Sequence, residues 1–412
     1  METERLALEG GTPIRTRPLP SGKKVGKAEL KELIDVIDSG NMFRWGGTKV
    51  KQFEEEFASV MGVKWAVAST SGTAALHVGV GMVNPCPGDE IITAPITDIG
   101  SVIPILYQTA IPVFAEVDTE TLNLDPKSVE KNITPRTKAI MPIHLFGAPC
   151  DMDALCAIAR QHGLAVIEDC AQAHFSEYRG RLVGTIGDIG CFSLQQSKHM
   201  TTGDGGITIT NNDDYGIRGK LFAAKGWRRE EYGPRQYVVF GPNYRMTELQ
   251  GAVAVAQLRK GREVVERRRK NGDLLTQLIQ DVEHVHPQKL LEDCKHCYWL
   301  YGLIVDRSAP FTADDFAQVM QAEGLSAGAH YIGKPIFLCH EAVRTQTLFG
   351  NSHFPFDYPD ARKVAYDEST CPVTQDVLNR LVTIPMSEFY GEEDVHDIAK
   401  GVRKAARGLA KR

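Results

Sequence analysis

The chain has 412 residues and a net charge of −5, and 42% of its residues are hydrophobic. This length allows two or three domains, and the negative charge argues against nucleic acid as a partner, since no dominant positive field collects phosphates. The amino terminus, METERLALEGG, lacks the pattern of a signal peptide, and the apolar run 102–115 is too short to cross a membrane. We therefore expect a cytoplasmic protein with no membrane partner.

The first part of the chain is predicted to be an extended arm, residues 1–30, followed by a helix that ends at Gly40. From residue 51 to about residue 215, helical and strand patterns alternate. Such alternation predicts an α/β fold with a mostly parallel seven-stranded sheet flanked by helices. Helices are predicted at 53–61, from Thr73, at 126–132 and at 151–162, and strands at 65–68, 90–93, 111–115, 138–142, 164–167, 189–194 and 206–210.

A long helical pattern, from TELQGAVAV to DLLTQLIQ, covers about 247–280 and links a large domain, 31–258, to a smaller one, 259–412. Its glycines, Gly251, Gly261 and Gly272, are expected to be weak points of the helix. The smaller C-terminal domain is predicted to be α+β. Its predicted elements are a strand at 298–305, a helix at 313–323 and a C-terminal helix from about Glu392.

The 9 cysteines are scattered without the framework of a disulfide-rich protein. Cys294 and Cys297 form the one CxxC, but no second pair stands at zinc spacing and a strand-like YWLYGLIV follows. A structural role as buried thiols is therefore favoured, while a redox or metal role stays open. We expect no metal site.

A small-residue turn, Ser71-Gly72-Thr73, lies between the strand WAVA and the helix TAALHVGVGM. The start of a helix presents free backbone N–H groups and the positive end of the helix dipole, which together suit a phosphate. The same residues are also ordinary helix-capping residues. The turn alone therefore leaves both interpretations open.

Asp169 ends the apolar strand LAVIED, where the carboxyl edge of a parallel sheet faces a ligand crevice. This acid is a candidate metal ligand, a structural acid or the partner of a buried cation. A pyridinium nitrogen is one such cation, and Gln172 would place an amide beside the same ring.

Lys198 follows the next apolar strand, which ends near Ser193, and precedes the glycine-rich TTGDGG. A solvated loop lysine is the simplest interpretation. The alternative is an amine nucleophile, because desolvation in a pocket lowers the pKa of a lysine. The hydroxyl of Ser193 would then add to a phosphate-binding cup.

The whole run resembles the fold-type I pyridoxal-phosphate enzymes and, more narrowly, the sugar aminotransferases of the DegT/DnrJ type. The resemblance covers roughly residues 10–400 and rests on several motifs taken together. These motifs are SGTAAL (71–76), PIHLFG (142–147), EDCAQAH (168–174), GTIGDIGCFSLQQSK (184–198), TTGDGG (201–206) and NYRMTELQ (243–250).

The resemblance implies that Lys198 forms a Schiff base with pyridoxal 5'-phosphate and shuttles protons. It implies that Asp169 holds the pyridine nitrogen, with Gln172 near the ring hydroxyl. The implied phosphate ligands are Gly72, Thr73, Ser193 and, reaching in from the neighbouring subunit, Asn243.

By the same resemblance, the protein is a homodimer with composite active sites. It would move an amino group from glutamate or glutamine onto a keto-sugar or a keto-cyclitol. Two alternatives stay open: a pyridoxal-phosphate sugar dehydratase and a non-catalytic pyridoxal-phosphate regulator. The deoxygenating branch of the family has histidine at the position of Lys198, which disfavours the first. The complete set of site residues weighs against the second.

One segment, APITDIG, departs from the family, which usually stacks an aromatic residue on the cofactor ring. Asp98 stands at that position, and a carboxylate is a poor cover for a ring. We expect Ile96 or Ile99 to cover the ring while Asp98 points into the substrate cavity, although Asp98 is also a candidate helix cap. His330 and Tyr331, in AHYIGKP, are the other candidate substrate residues.

Overall fold

The computed structural model describes residues 5–228 and 235–412. Fourteen strands are present in these residues, most of them in the first half of the chain. They are β1 (Trp65–Ser69), β2 (Glu90–Thr93), β3 (Ile111–Phe114), β4 (Thr137–Met141), β5 (Ala165–Asp169), β6 (Glu177–Tyr178), β7 (Arg181–Leu182), β8 (Ile189–Ser193), β9 (Gly206–Thr210), β10 (Val285–Pro287), β11 (Cys294–Lys295), β12 (Leu300–Val305), β13 (Gly328–Ala329) and β14 (Leu381–Pro385).

Helices surround these strands. They are α1 (Lys27–Ser39), α2 (Lys49–Met61), α3 (Gly72–Val83), α4 (Ile103–Tyr107), α5 (Pro126–Asn132), α6 (Met152–His162), α7 (Asp213–Ala223), α8 (Glu248–Ile279), α9 (Ala313–Ala322), α10 (Ile336–Cys339), α11 (Glu341–Arg344), α12 (Pro372–Arg380) and α13 (Glu392–Leu409). Among the described residues, no helix combines the length and the apolar character needed to span a bilayer.

The central sheet has seven strands in the order β1-β9-β8-β5-β4-β2-β3. Strand β9 is antiparallel to both of its neighbours, while the β5–β8, β4–β5, β2–β4 and β2–β3 pairs are parallel. The predicted mostly parallel seven-stranded sheet is therefore confirmed. A four-stranded antiparallel sheet, β10-β12-β14-β13, lies in the C-terminal part, and β11-β6-β7 form a third, small sheet.

Both faces of the central sheet are buried, because successive residues of a strand point to opposite sides. In β1, Ala66 and Ala68 pack into one apolar cluster and Val67 into another. The C-terminal part has a separate core around β12, β14, α9 and α13, and Leu6 of the N-terminal arm packs into it. The arm is thus attached to the C-terminal part of the protein.

Helix α8 runs unbroken from Glu248 to Ile279 through its three glycines, and their weakness within the helix stays a prediction. These glycines are positions of close approach. A Cβ at Gly251 would lie 2.7 Å from the backbone nitrogen of Val50, and one at Gly261 would lie 2.5 Å from the sulfur of Met200. The predicted domain boundary at residue 258 falls inside this helix and stays a prediction.

Candidate active site

The site lies at the carboxyl edge of the central sheet. Strand β5 ends at Asp169 and β8 at Ser193, while α3 starts at Gly72 shortly after β1 ends. Because parallel strands end at the same edge, the loops that follow them converge there.

Asp169 is buried and held by two hydrogen bonds. Its Oδ2 accepts from the Ser101 hydroxyl at 2.7 Å, and its Oδ1 accepts from the backbone N–H of Ala171 at 3.0 Å. Burial raises the pKa of Asp169, although both hydrogen bonds and the charge of Lys198 act in the opposite direction. Of the charged groups around it, Lys198 and His144 favour the ionised form of this carboxylate.

Lys198 lies in the loop after β8, partly buried against Trp299. Its Nζ is 4.0 Å from the centroid of the Trp299 ring system, within cation–π distance. Burial lowers the pKa of Lys198 to about 8, against the opposing effect of the carboxylates of Asp169 and Asp98. At pH 7 a pKa of about 8 leaves roughly a tenth of this amine unprotonated, far more than an ordinary lysine, and the neutral form is what a nucleophile or base requires.

Tyr331 contacts both Gln172 and Trp299. The Gln172 Oε1 accepts from the backbone N–H of Phe146 at 2.7 Å, and its Nε2 donates to the Tyr331 hydroxyl at 3.3 Å. The Tyr331 ring stands edge-on to Trp299, with centroids 6.5 Å apart. The sequence prediction missed Trp299, whose only signal was an aromatic residue at the start of a predicted strand.

The start of α3 forms a cradle beside Ser193. The Ser71 hydroxyl oxygen accepts from the N–H of Ala74 at 3.0 Å, which leaves the first amides of the helix, at Gly72 and Thr73, without helical partners. A Cβ at Gly72 would lie 2.6 Å from the Cβ of Ser193, so only glycine allows this approach. The cradle brings three of the predicted phosphate ligands together.

Asn243, the fourth predicted phosphate ligand, is exposed on the surface of the chain. Its backbone forms a bridge with Ala224 in an extended segment that leads into α8. Its predicted partner belongs to a neighbouring subunit, and that contact stays a prediction.

Asp98 is exposed and caps the short 3-10 turn Ile99–Ser101, because its Oδ1 accepts from the N–H of Gly100 at 2.8 Å. Its charge nevertheless raises the pKa of both Lys198 and Tyr331, so it lies near these two residues. Ile96 is buried in the core, whereas Ile99 is only partly buried. That one of these two isoleucines covers the cofactor ring stays a prediction.

The His330 ring is engaged elsewhere. One of its nitrogens, Nε2, lies 2.8 Å from a carboxylate oxygen of Asp314, and Nδ1 lies 3.1 Å from the carbonyl oxygen of Leu378. Its neighbour Tyr331 is the residue of this pair that reaches Gln172. The substrate roles of both residues stay predictions.

A buried group next to Asp169, formed by His144, Glu168 and Cys170, has ligand atoms close enough together to hold a metal. The Glu168 carboxylate is already engaged, since it accepts backbone N–H groups of Gly184, Ile186 and Gly187 at 2.6–2.7 Å. Burial also raises the pKa of the Cys170 thiol to about 12. The group therefore fastens the loop between β7 and β8 to the sheet.

A strand-end acid, a partly buried lysine and a helix start beside a serine are the features expected at the site of a fold-type I pyridoxal-phosphate enzyme. The chain belongs to the DegT/DnrJ/EryC1/StrS aminotransferase family, whose sequence profile matches residues 23–403. It is accordingly a pyridoxal-phosphate-dependent aminotransferase of amino-sugar biosynthesis, as the family and its solved structures indicate.

Three known proteins illustrate the similarity. The chain is 34% identical to an L-glutamine:2-deoxy-scyllo-inosose aminotransferase of Streptoalloteichus tenebrarius, over 98% of this chain and 97% of the relative. It is 33% identical to the spore coat polysaccharide biosynthesis protein SpsC of Bacillus subtilis, over 93% and 96% of the two chains. The crystal structure of 3-amino-5-hydroxybenzoic acid synthase superposes with a TM-score of 0.82 at 28% identity, over 96% of this chain and 99% of that one.

The residues present fit pyridoxal phosphate. Because residue 72 is a glycine, the start of α3 can approach Ser193 closely, and its free N–H groups and the serine hydroxyl suit an anion. The buried carboxylate of Asp169 suits a cationic ring nitrogen, and the lowered pKa of Lys198 suits covalent attachment of an aldehyde.

Proposed function

We propose that this enzyme transfers an amino group from glutamine or glutamate to a keto-cyclitol or a keto-sugar. The observation that carries the proposal is the amine of Lys198, of lowered pKa, close to the buried carboxylate of Asp169. The relative from Streptoalloteichus tenebrarius, named as a glutamine-dependent aminotransferase of a keto-cyclitol, supports these substrate classes.

Each site residue has a role that follows from its chemistry. When bound, pyridoxal phosphate supplies an electron sink for carbanion chemistry. Asp169 would stabilise the protonated ring nitrogen, and Gln172 would present its amide to the ring from the Tyr331 side. The phosphate would be held by the helix start and serine hydroxyls, that is, by Gly72, Thr73 and Ser193, with Asn243 of a second subunit.

Lys198 would take a proton from the carbon that carries the amino group of the donor, and at the end of the transfer it would give a proton to the carbon of the acceptor that receives the amino group. Its lowered pKa lets the same Nζ act as base and as acid near neutral pH. The Trp299 ring beneath the amine restricts water at this point, which favours transfer of the proton between the amine and the substrate.

We also propose a homodimer that completes each site. Helix α1 supports it, because Leu30, Ile34 and Ile37 point outward and are 48–62% exposed. The opposite side of α1 is charged and paired: Glu32 binds Lys49 at 2.5 Å. An apolar outer stripe is costly in water unless another surface covers it.

The loop that carries Asn243 offers further apolar surface to a second subunit, since Phe240 is fully exposed at 100%. Mixing inactive Lys198→Ala and Asn243→Ala chains tests the composite site, because each heterodimer would contain one intact site. Recovery of about a quarter of the wild-type activity is expected from the statistics of random pairing. No recovery in demonstrated heterodimers would contradict the shared site.

The substrate proposal is tested by offering glutamine, glutamate or alanine as donor with a panel of keto-cyclitols and keto-sugars. Mass spectrometry is expected to find an amine in place of the keto oxygen, with glutamine or glutamate favoured over alanine. A product that lost a hydroxyl and gained no nitrogen would indicate the dehydratase. Cofactor binding without turnover would indicate the regulator.

A further inference from the structure

The loop that carries Lys198 is held from outside at three successive carbonyl groups. The Nζ of Lys24, in the N-terminal arm, donates to the carbonyl oxygen of Lys198 at 2.7 Å and to that of Gln196 at 3.3 Å. The indole N–H of Trp299 donates to the carbonyl oxygen between them, that of Ser197, at 3.2 Å. The path of this loop therefore depends on side chains far away in sequence.

Lys24 is itself fixed to helix α8. Its carbonyl oxygen accepts from Gln257 Nε2 at 2.8 Å and from Lys260 Nζ at 2.6 Å. Gln257 is almost fully buried, and its Oε1 accepts from the N–H of Thr201, on the far side of the Lys198 loop, at 3.1 Å. The arm, α8 and the loop thus form one connected hydrogen-bond network.

The environment of Lys24 is unusual for a lysine. Burial lowers its pKa, the charge of Arg268 adds to that effect, and Glu388 opposes it. In the part of the chain that the structure describes, Lys24 forms no salt bridge, and its ammonium donates to loop carbonyls instead. Hydrogen bonds from a charged donor are stronger than neutral ones, so the contact is suited to hold a loop.

We propose that Lys24 is a positioning residue for the transamination site: it fixes the carbonyl groups of Gln196 and Lys198 and thereby the direction in which the Lys198 side chain enters the cavity. The inference rests on the proposed role of Lys198. It makes the N-terminal arm part of the active-site machinery. A second prediction is that the arm and the Lys198 loop gain or lose order together, since each holds the other.

The test compares Lys24→Met, which keeps the length and apolar character of the stem, with Lys24→Arg, which keeps a charged donor. Lys23→Met is the matched control, because Lys23 is the exposed neighbour. Hydrogen exchange of the peptide 195–202 is measured on cofactor-free protein. Steady-state kinetics with glutamine and the best acceptor are measured on the loaded enzyme.

Lys24→Met is expected to speed exchange in 195–202 and to lower kcat about tenfold with KM changed less than about twofold, as the loss of one charge-assisted hydrogen bond implies. Lys24→Arg is expected to recover most of both effects, and Lys23→Met to match wild type. Unchanged exchange and kcat in Lys24→Met would overturn the proposal. Equal loss of kcat in the Met and Arg variants, with unchanged exchange, would overturn it as well.

If Lys24→Met lowers the melting temperature too far to assay, Lys24→Gln, which is shorter and uncharged, is measured by the same two readouts, and wild-type exchange and kcat in that variant would overturn the proposal. Failure of the proposed function is recognised separately, by a Lys198→Ala variant that turns over substrate. The hydrogen-exchange experiment does not depend on turnover, so it tests whether Lys24 holds the Lys198 loop even in that case.

Discussion

Asp169→Asn separates the charge of this residue from its shape. The new amide oxygen can keep the hydrogen bond from the N–H of Ala171. The amide nitrogen would then donate to the Ser101 oxygen, and the Ser101 hydroxyl can turn to Thr97, whose Oγ1 lies 2.7 Å away. Each of these side chains would keep at least one hydrogen bond, so the fold is expected to survive the substitution.

The expected loss of kcat follows from the lost charge of Asp169 alone. A carboxylate in contact with a cation shifts proton affinity by about 2 pKa units, which is about 2.7 kcal/mol or roughly 100-fold in kcat. Initial rates at saturating substrate are compared with those of Asp89→Asn. Asp89 is equally a buried acid that accepts a backbone N–H, from Cys86 at 2.8 Å, but it precedes β2 at the opposite edge of the sheet. A loss below threefold in a folded Asp169→Asn enzyme, or an equal loss in the control, would show that the charge of Asp169 does not stabilise a cation in the site.

Three further outcomes are expected. Gly72→Ala brings a Cβ within 2.6 Å of Ser193, so we expect it to weaken cofactor binding at least about tenfold in equilibrium dialysis. Gly391→Ala is the control, since the nearest atom to its Cβ is 3.6 Å away and binding is expected to stay unchanged. Equal affinities of the two variants would show that the start of α3 does not bind the phosphate. In cofactor-free protein, the rate at which Lys198 is acylated, followed by mass spectrometry, is expected to rise with pH with a midpoint near pH 8. The reason is that burial lowers the pKa of Lys198 to about 8 and only the neutral amine reacts. A midpoint near the ordinary value of 10.5 would argue against a desolvated amine. Asp98→Asn keeps an oxygen that caps the turn, and we expect it to raise KM for the acceptor. Asp98→Ala is expected to raise KM as well and to lower the free energy of unfolding by about 1 kcal/mol, because the cap is lost. A wild-type KM in both variants would show that Asp98 acts only as a cap.

The sheet could be predicted from the sequence because its strands are apolar runs buried on both faces, separated by helical patterns. Helix α7 was missed, since Gly216 and Gly219 lower helix propensity. In the structure these glycines pack against the side chains of Trp65 and Met82, so tertiary contacts outweigh propensity there.

The site could be predicted in part for a similar reason. Asp169 and Ser193 end apolar strands, and such positions meet at one sheet edge whatever the loops do. The residues next to Trp299 and Lys24 in the sequence do not indicate a role in the site, because both side chains contact the Lys198 loop over long sequence separations. The His330 ring was expected at the site, yet its partners lie on α9 and α12, which no short pattern reveals.

The assignment of Lys198 as the lysine that binds the cofactor has a direct chemical test. Borohydride reduction of the pyridoxal-phosphate-loaded enzyme fixes the linkage, and digestion followed by mass spectrometry locates the modified lysine. We expect one cofactor per chain, on Lys198, while Lys24 stays unmodified. A cofactor found on another lysine, or a Lys198→Ala enzyme that is still modified and active, would show that Lys198 is not the attachment site.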